Sequence, residues 1–187
     1  KKAAGSGSAA AKRAQVDKLR RVVEAEVSAG NASMAIKAWR KAQADFPTPI
    51  DTLKLITHAF VSSDPGRLVI EIVGHLETHP KVHCNARAAN AVLEVLAHAG
   101  LTQLMDETLR VIQERLQITP TDQTYDVLLG GHAGAGDEAR VTFLCNKIRS
   151  SGRTLTARSF ALIIKGFLRH GLVDAALGKI REMRRHG

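Results

Sequence analysis

Aromatic residues, cysteine and long apolar runs are all scarce in this 187-residue chain. Aromatics make up 4% against a hydrophobic content of 44%, so a core must be built from Leu, Ile, Val and Ala. Small aliphatic side chains let helices approach closely, and Ala has the best helix propensity of any residue. The two cysteines, Cys84 and Cys145, lie far apart in no metal or redox spacing. That excludes a disulfide scaffold and reads as two buried free thiols in a reducing compartment. No apolar stretch approaches the ~18 residues a membrane span needs, so no membrane partner is expected. Alternation with period two is also missing over any useful length, which argues against sheet.

Acid is scarce as well. Net charge is +9 and the sequence pI about 10.0, a balance that speaks to anionic partners rather than to fold. Much of the excess sits at the front, where the first 21 residues hold seven positive side chains against Asp17 alone; the remainder is about +3. Residues 1–16, KKAAGSGSAAAKRAQV, contain no acid and read as a basic tail, a linker or part of an organelle-targeting leader. The chain opens without Met and stops at Gly187, where a further repeat would begin, so it is expected to be part of a longer protein.

What the sequence does contain is a period. Gly30, Gly66, Gly100, Gly136 and Gly171 recur at spacings of 36, 34, 36 and 35, each between two helix-like segments. Around the last rungs the match runs residue by residue at 35: Tyr125 with Phe160, Leu128-Leu129 with Ile163-Ile164, Ile148 with Met183, and Gly152 with Gly187. One repeat cannot bury its own apolar face, so the units must stack. The fourth shows the grammar: Asp122 as a cap, Tyr125, Leu128, Leu129 and His132 on one helix, a glycine break, then Val141, Phe143, Leu144 and Ile148 on a second. Ser63-Asp64-Pro65 marks a helix start in the second unit. The expectation is an all-α solenoid, ten helices in about five hairpins of 34–36 residues, over residues 17–187.

The fourth unit, TPTDQTYDVLLGGHAGAGDEARVTFLCNKIRSSG, and the fifth, RSFALIIKGFLRHGLVDAALGKIREMRRHG, resemble pentatricopeptide repeats. The resemblance rests on Thr124-Tyr125 and Ser159-Phe160, the apolar pair three residues on, the glycine eleven after the aromatic, and the Ala-Ala-Leu and Glu-Met of the second helix. The third unit fits with Ala89 in place of the aromatic. The resemblance implies a right-handed superhelix that binds single-stranded RNA in mitochondria or plastids such as chloroplasts, one base per repeat. It also implies paired readers: Arg20 with Thr48, Leu53 with Asn85, Asn90 with Thr121, Asp126 with Thr156, and Ala161. Leu53 and Ala161 carry no donor or acceptor for a base edge. The places flanking the bases are Asp17, Ile50, Arg87, Gln123 and Arg158.

Asn90 and Asp126 are thus the expected base contacts, seconded by Thr121 and Thr156, with Arg87, Arg158 and Arg169 as cationic support and Arg20 as a further RNA-binding reader. A scaffold for proteins of an organellar ribonucleoprotein such as a ribosome is the second reading, favoured by the departures from the reader pattern. No cofactor, metal or small-molecule substrate is expected. His79, His83 and Cys84 form the tightest metal-type cluster, but Pro80 interrupts their helical face and no second cluster completes a zinc site. Gly130-Gly131 and Gly134-Ala135-Gly136 lack the Lys-Ser/Thr of a phosphate loop. No spacing sets a nucleophile beside a base, so no enzyme is expected within these residues. The closing helix carries Val173, Ala176, Leu177, Ile180 and Met183, a stripe that should leave apolar surface outside and promote self-association.

Overall fold

The computed structural model of the chain describes residues 4–83 and 85–186, the side chains of 4–9, Lys81 and His186 aside. Every element in these residues is helical: α1 (Ala4–Ser28), α2 (Ala32–Ala42), α3 (Ile50–Ser63), α4 (Pro65–Thr78), α5 (Pro80–His83), α6 (Ala86–His98), α7 (Thr102–Leu116), α8 (Asp122–Gly134), α9 (Glu138–Ser150), α10 (Ala157–Arg169) and α11 (Val173–His186). Two compact units divide the chain, residues 1–92 and 93–187, with the boundary inside α6.

Four of the hairpins close by one device. At four turns the amide of the residue after a glycine bonds the carbonyl five positions back: Asn31 to Glu26, Leu101 to Leu96, Asp137 to His132 and Leu172 to Phe167. This six-to-one bond demands a left-handed residue before it. Gly30, Gly100, Gly136 and Gly171 supply it at φ of +72 to +78°. Gly66 does not belong to that ladder. It lies inside α4, and the second hairpin turns instead through Asp64 (φ −153°) with Pro65 opening the helix.

The helix starts repeat too. Thr121 and Thr156, 35 residues apart, each form a reciprocal capping box, with Thr124 and Ser159 respectively. Asp122 is therefore the first helical residue of α8, not its cap. The eleventh helix, α5, is the departure from the expected ten: Pro80 ends one course and starts another, leaving a single turn before α6. Helix α1 takes in residues of the Ala- and Lys-rich front segment, both good helix formers.

In the first unit α3 lies against both α1 and α2, and packs α4 behind it. Trp39, Leu53, Ile56, Phe60, Leu68, Ile72 and Leu76 fill that core with almost no exposure. In the second unit α8 lies along α10, and each pairs with its own following helix, α9 or α11. Its core is Leu96, Met105, Ile112, Leu128, Leu129, Val141, Ile148, Ile163 and Phe167. Charges staple successive second helices in both units. Arg40 of α2 grips Glu71 of α4 through two bonds of 2.7 and 2.5 Å, and Arg149 of α9 pairs with Glu182 of α11. The architecture is a solenoid of stacked helix pairs.

Candidate nucleic-acid interface

The second unit brings one expected reader pair together. Asp126 on α8 and Thr156 at the head of α10 meet through Ser159. The Ser159 hydroxyl donates to Asp126 Oδ1 at 2.6 Å and stands 3.0 Å from Thr156 Oγ1. Thr156 Oγ1 in turn accepts the Ser159 amide at 3.1 Å. Arg158 Nε completes the group, 3.4 Å from Asp126 Oδ2. Asp126 is buried at 8% exposure while Arg158 stands in solvent, so the carboxylate is held inside a junction between repeats.

Other expected readers are also taken up by the fold. Asn90 is buried at 2% exposure and Leu53 is fully buried. Thr48 is buried as well: its hydroxyl accepts from Trp39 Nε1 at 2.9 Å and its amide donates to His75 Nε2 at 3.3 Å. Thr121 caps α8. Asn85 caps α6, its Oδ1 accepting the Ala88 amide at 3.0 Å. Arg20 is exposed and pairs with Glu24 of its own helix at 2.7 Å. Arg87 and Ala161 are exposed.

One face of α10 gathers what the others lack. Arg158, Ala161, Lys165 and Arg169 follow at steps of three and four, which places them on one side of a helix, and all four are exposed. Lys165 and Arg169 make no ion pair or hydrogen bond with any described residue. With Ala161, Ile164, Leu168 and Met183 they line an open trough of about 580 Å³. Its floor is aliphatic and its charge wholly positive. Lys165 escaped the sequence reading, which compared reader positions and not the face they share.

Away from this face, α10 is pressed closely to α8. A Cβ at Gly166 would stand 2.6 Å from both the carbonyl carbon and the Cβ of Ala133. A Cβ at Gly131, 35 residues earlier, would stand 3.0–3.1 Å from Ala97 Cβ and the end of the Met105 side chain. Their spacing equals the repeat period, but their role as contact points shows only once the helices are packed.

His75, His79 and His83 cluster in the first unit with ring centroids 5.1–6.2 Å apart, but no described group of three ligand-type residues is arranged for an ion. His75 is packed edge-on against Trp39 and accepts the Thr48 amide. Burial, aided by the neighbouring His83 and His79, pushes its pKa down to about 3. His83 is lowered too, by burial first and then by His79. In the second unit buried His132 meets Asp106 at 3.2 Å, and Arg140 meets the same carboxylate at 3.0 Å. Cys145 is buried; Cys84 lies outside the described residues.

No protein-family model matches the chain, and no curated protein matches it. Solved structures do. Two crystal structures of the pentatricopeptide repeat protein PPR10 in complex with an 18-nt psaJ RNA element, one of a triple cysteine-to-serine variant, match at a TM-score of 0.56 and 20% identity. Each match covers 96% of this chain and 26% of PPR10, so the chain spans about a quarter of that protein's length. The chain has the helical-repeat fold seen in the pentatricopeptide repeat protein PPR10.

Proposed function

We propose that the chain is a non-catalytic module that binds single-stranded RNA, acting in RNA processing, stability or translation within a mitochondrion or plastid. The observation that carries this reading is the α10 face, where Lys165 and Arg169 stand unpaired over an aliphatic trough. Free cations beside an apolar floor suit a flexible polyanion whose bases need cover from water. Arg158 extends the row, and Arg87 and Arg20 supply exposed cations on earlier first helices. PPR10, whose fold the chain shares, is an RNA complex in its crystals.

Base selectivity in this reading is weak. Asn90 and Asp126 hold the reader places, yet Asp126 reaches a base only by releasing Ser159, and Thr121 and Thr156 are engaged as caps. Polarisation binding of the chain to an unstructured 12-nucleotide RNA and to a duplex of the same sequence tests the proposal. Single strands should bind at low salt and the duplex much less; equal binding of both, or of neither, would overturn it.

The burial of Leu53, Asn90 and Asp126 supports a second reading, a solenoid scaffold that contacts proteins of an organellar ribonucleoprotein. Absence of RNA binding together with a stable protein complex would favour it.

A further inference from the structure

We infer that the groove between α1 and α2 is a docking site for an acid-flanked amphipathic helix of a partner protein. The inference stands apart from RNA binding, because it rests on a different surface. The groove measures about 650 Å³ and lies in the first unit. Leu19, Val22, Met34 and Phe46 floor it. Val22 and Met34 remain 38% and 51% exposed, whereas Leu19 and Phe46 are buried beneath them.

Three lysines rim the floor: Lys18 on α1, and Lys37 and Lys41 on α2. All three are exposed and none has an ion pair or hydrogen bond with a described residue. Asp45 is the single acid in the lining. Along α1 the groove runs from Gln15 to Val22, about 10 Å at the helical rise and so about two turns of an incoming helix. Helix-in-groove recognition asks for such a floor, with anchors at i, i+3, i+4 and i+7, and for rim charges of opposite sign. Met34 adds an adaptable side chain of the kind that moulds to aliphatic anchors.

The charges argue against other occupants. A second copy docking through the same groove would set lysine against lysine. A second copy docking head-to-tail would bring its α10–α11 trough, which carries Lys165 and Arg169, against Lys18, Lys37 and Lys41. The molecule's own staples join cation to acid, as Arg40 joins Glu71 and Arg149 joins Glu182. This groove sets three lysines against Asp45 alone, so a partner that brings acids complements it. RNA would want an exposed ring or guanidinium over which to stack, and Phe46 is buried.

The test uses the whole chain and a designed 18-residue helical peptide with a Leu stripe flanked by Glu. A Lys-flanked twin, an unstructured 12-nucleotide RNA and phosphatidylserine–phosphatidylcholine vesicles serve as rivals. The Glu peptide should bind at least tenfold tighter than its Lys twin. Lys37→Glu/Lys41→Glu, with helical circular dichroism unchanged, should weaken the Glu peptide at least tenfold and strengthen the Lys peptide. If that variant misfolds, Ala38→Trp, which fills the groove without changing charge, should abolish binding of the Glu peptide. The inference is overturned if the Glu peptide fails to bind, if the variants leave its affinity unchanged, or if they weaken RNA or vesicle binding more than peptide binding.

Discussion

Gly166 of α10 rests on Ala133 of α8 with no room for one further carbon, since a Cβ would stand 2.6 Å from Ala133 backbone and side chain alike. Neither helix can yield there without moving its axis. Gly166→Ala gains about 1 kcal/mol of helix propensity, but overpacking against backbone costs more, about 1–3 kcal/mol. A net fall in stability by urea unfolding is expected. Gly131→Ala meets Ala97 Cβ and the end of Met105, which can swing aside, and should be neutral within about 1 kcal/mol. Equal costs at the two sites would mean that the α8–α10 contact is looser than described.

Ser159 closes its capping box with Thr156 and also holds Asp126. Ser159→Ala should therefore cost about 1–3 kcal/mol, combining a lost cap with a buried carboxylate left short of a donor. Asp126→Asn keeps one bond to Ser159 and removes the charge facing Arg158. If Asp126 meets RNA, this variant should tighten binding or alter base preference; an unchanged RNA profile would assign Asp126 to the repeat junction alone.

The imidazole of His75 is neutral in the fold, with a pKa near 3 against about 6.5 when unfolded. A folded pKa that is lowered gives stability in full above the unfolded value. That stability is lost as pH falls from about 6.5 toward 3, at up to ~1.4 kcal/mol per pH unit. His83, lowered in the same direction, adds to the slope. Urea unfolding between pH 7 and 4 should show it, and His75→Gln should flatten it whatever the variant's absolute stability. An identical slope in wild type and variant would contradict the assignment.

The stacked-hairpin architecture could be read from spacing because the turn glycines perform one task that no other residue does cheaply. Gly66 misled because a period was extended past the residues that justify it; in its unit Asp64 and Pro65 make the turn. The short α5 was hidden because Pro80 reads equally as a break or as a first-turn residue. Reader positions were legible as places but not as environments. Nothing in the sequence says that Ser159, next to an expected cation, would spend its hydroxyl on Asp126. Nor does a reader-by-reader comparison expose the face shared by Arg158, Ala161, Lys165 and Arg169, which needs the helix to be built first.

The central claim is that this α10 face holds the phosphate backbone of a single strand. The direct measurement is the salt dependence of binding to an unstructured 12-nucleotide RNA for the chain and for Lys165→Gln/Arg169→Gln. Each phosphate contact of a single strand contributes about −0.7 to the slope of log affinity against log salt. The double variant should bind at least tenfold more weakly at low salt, with a slope about 1.4 shallower. An affinity and a slope both unchanged by the two substitutions would contradict the account.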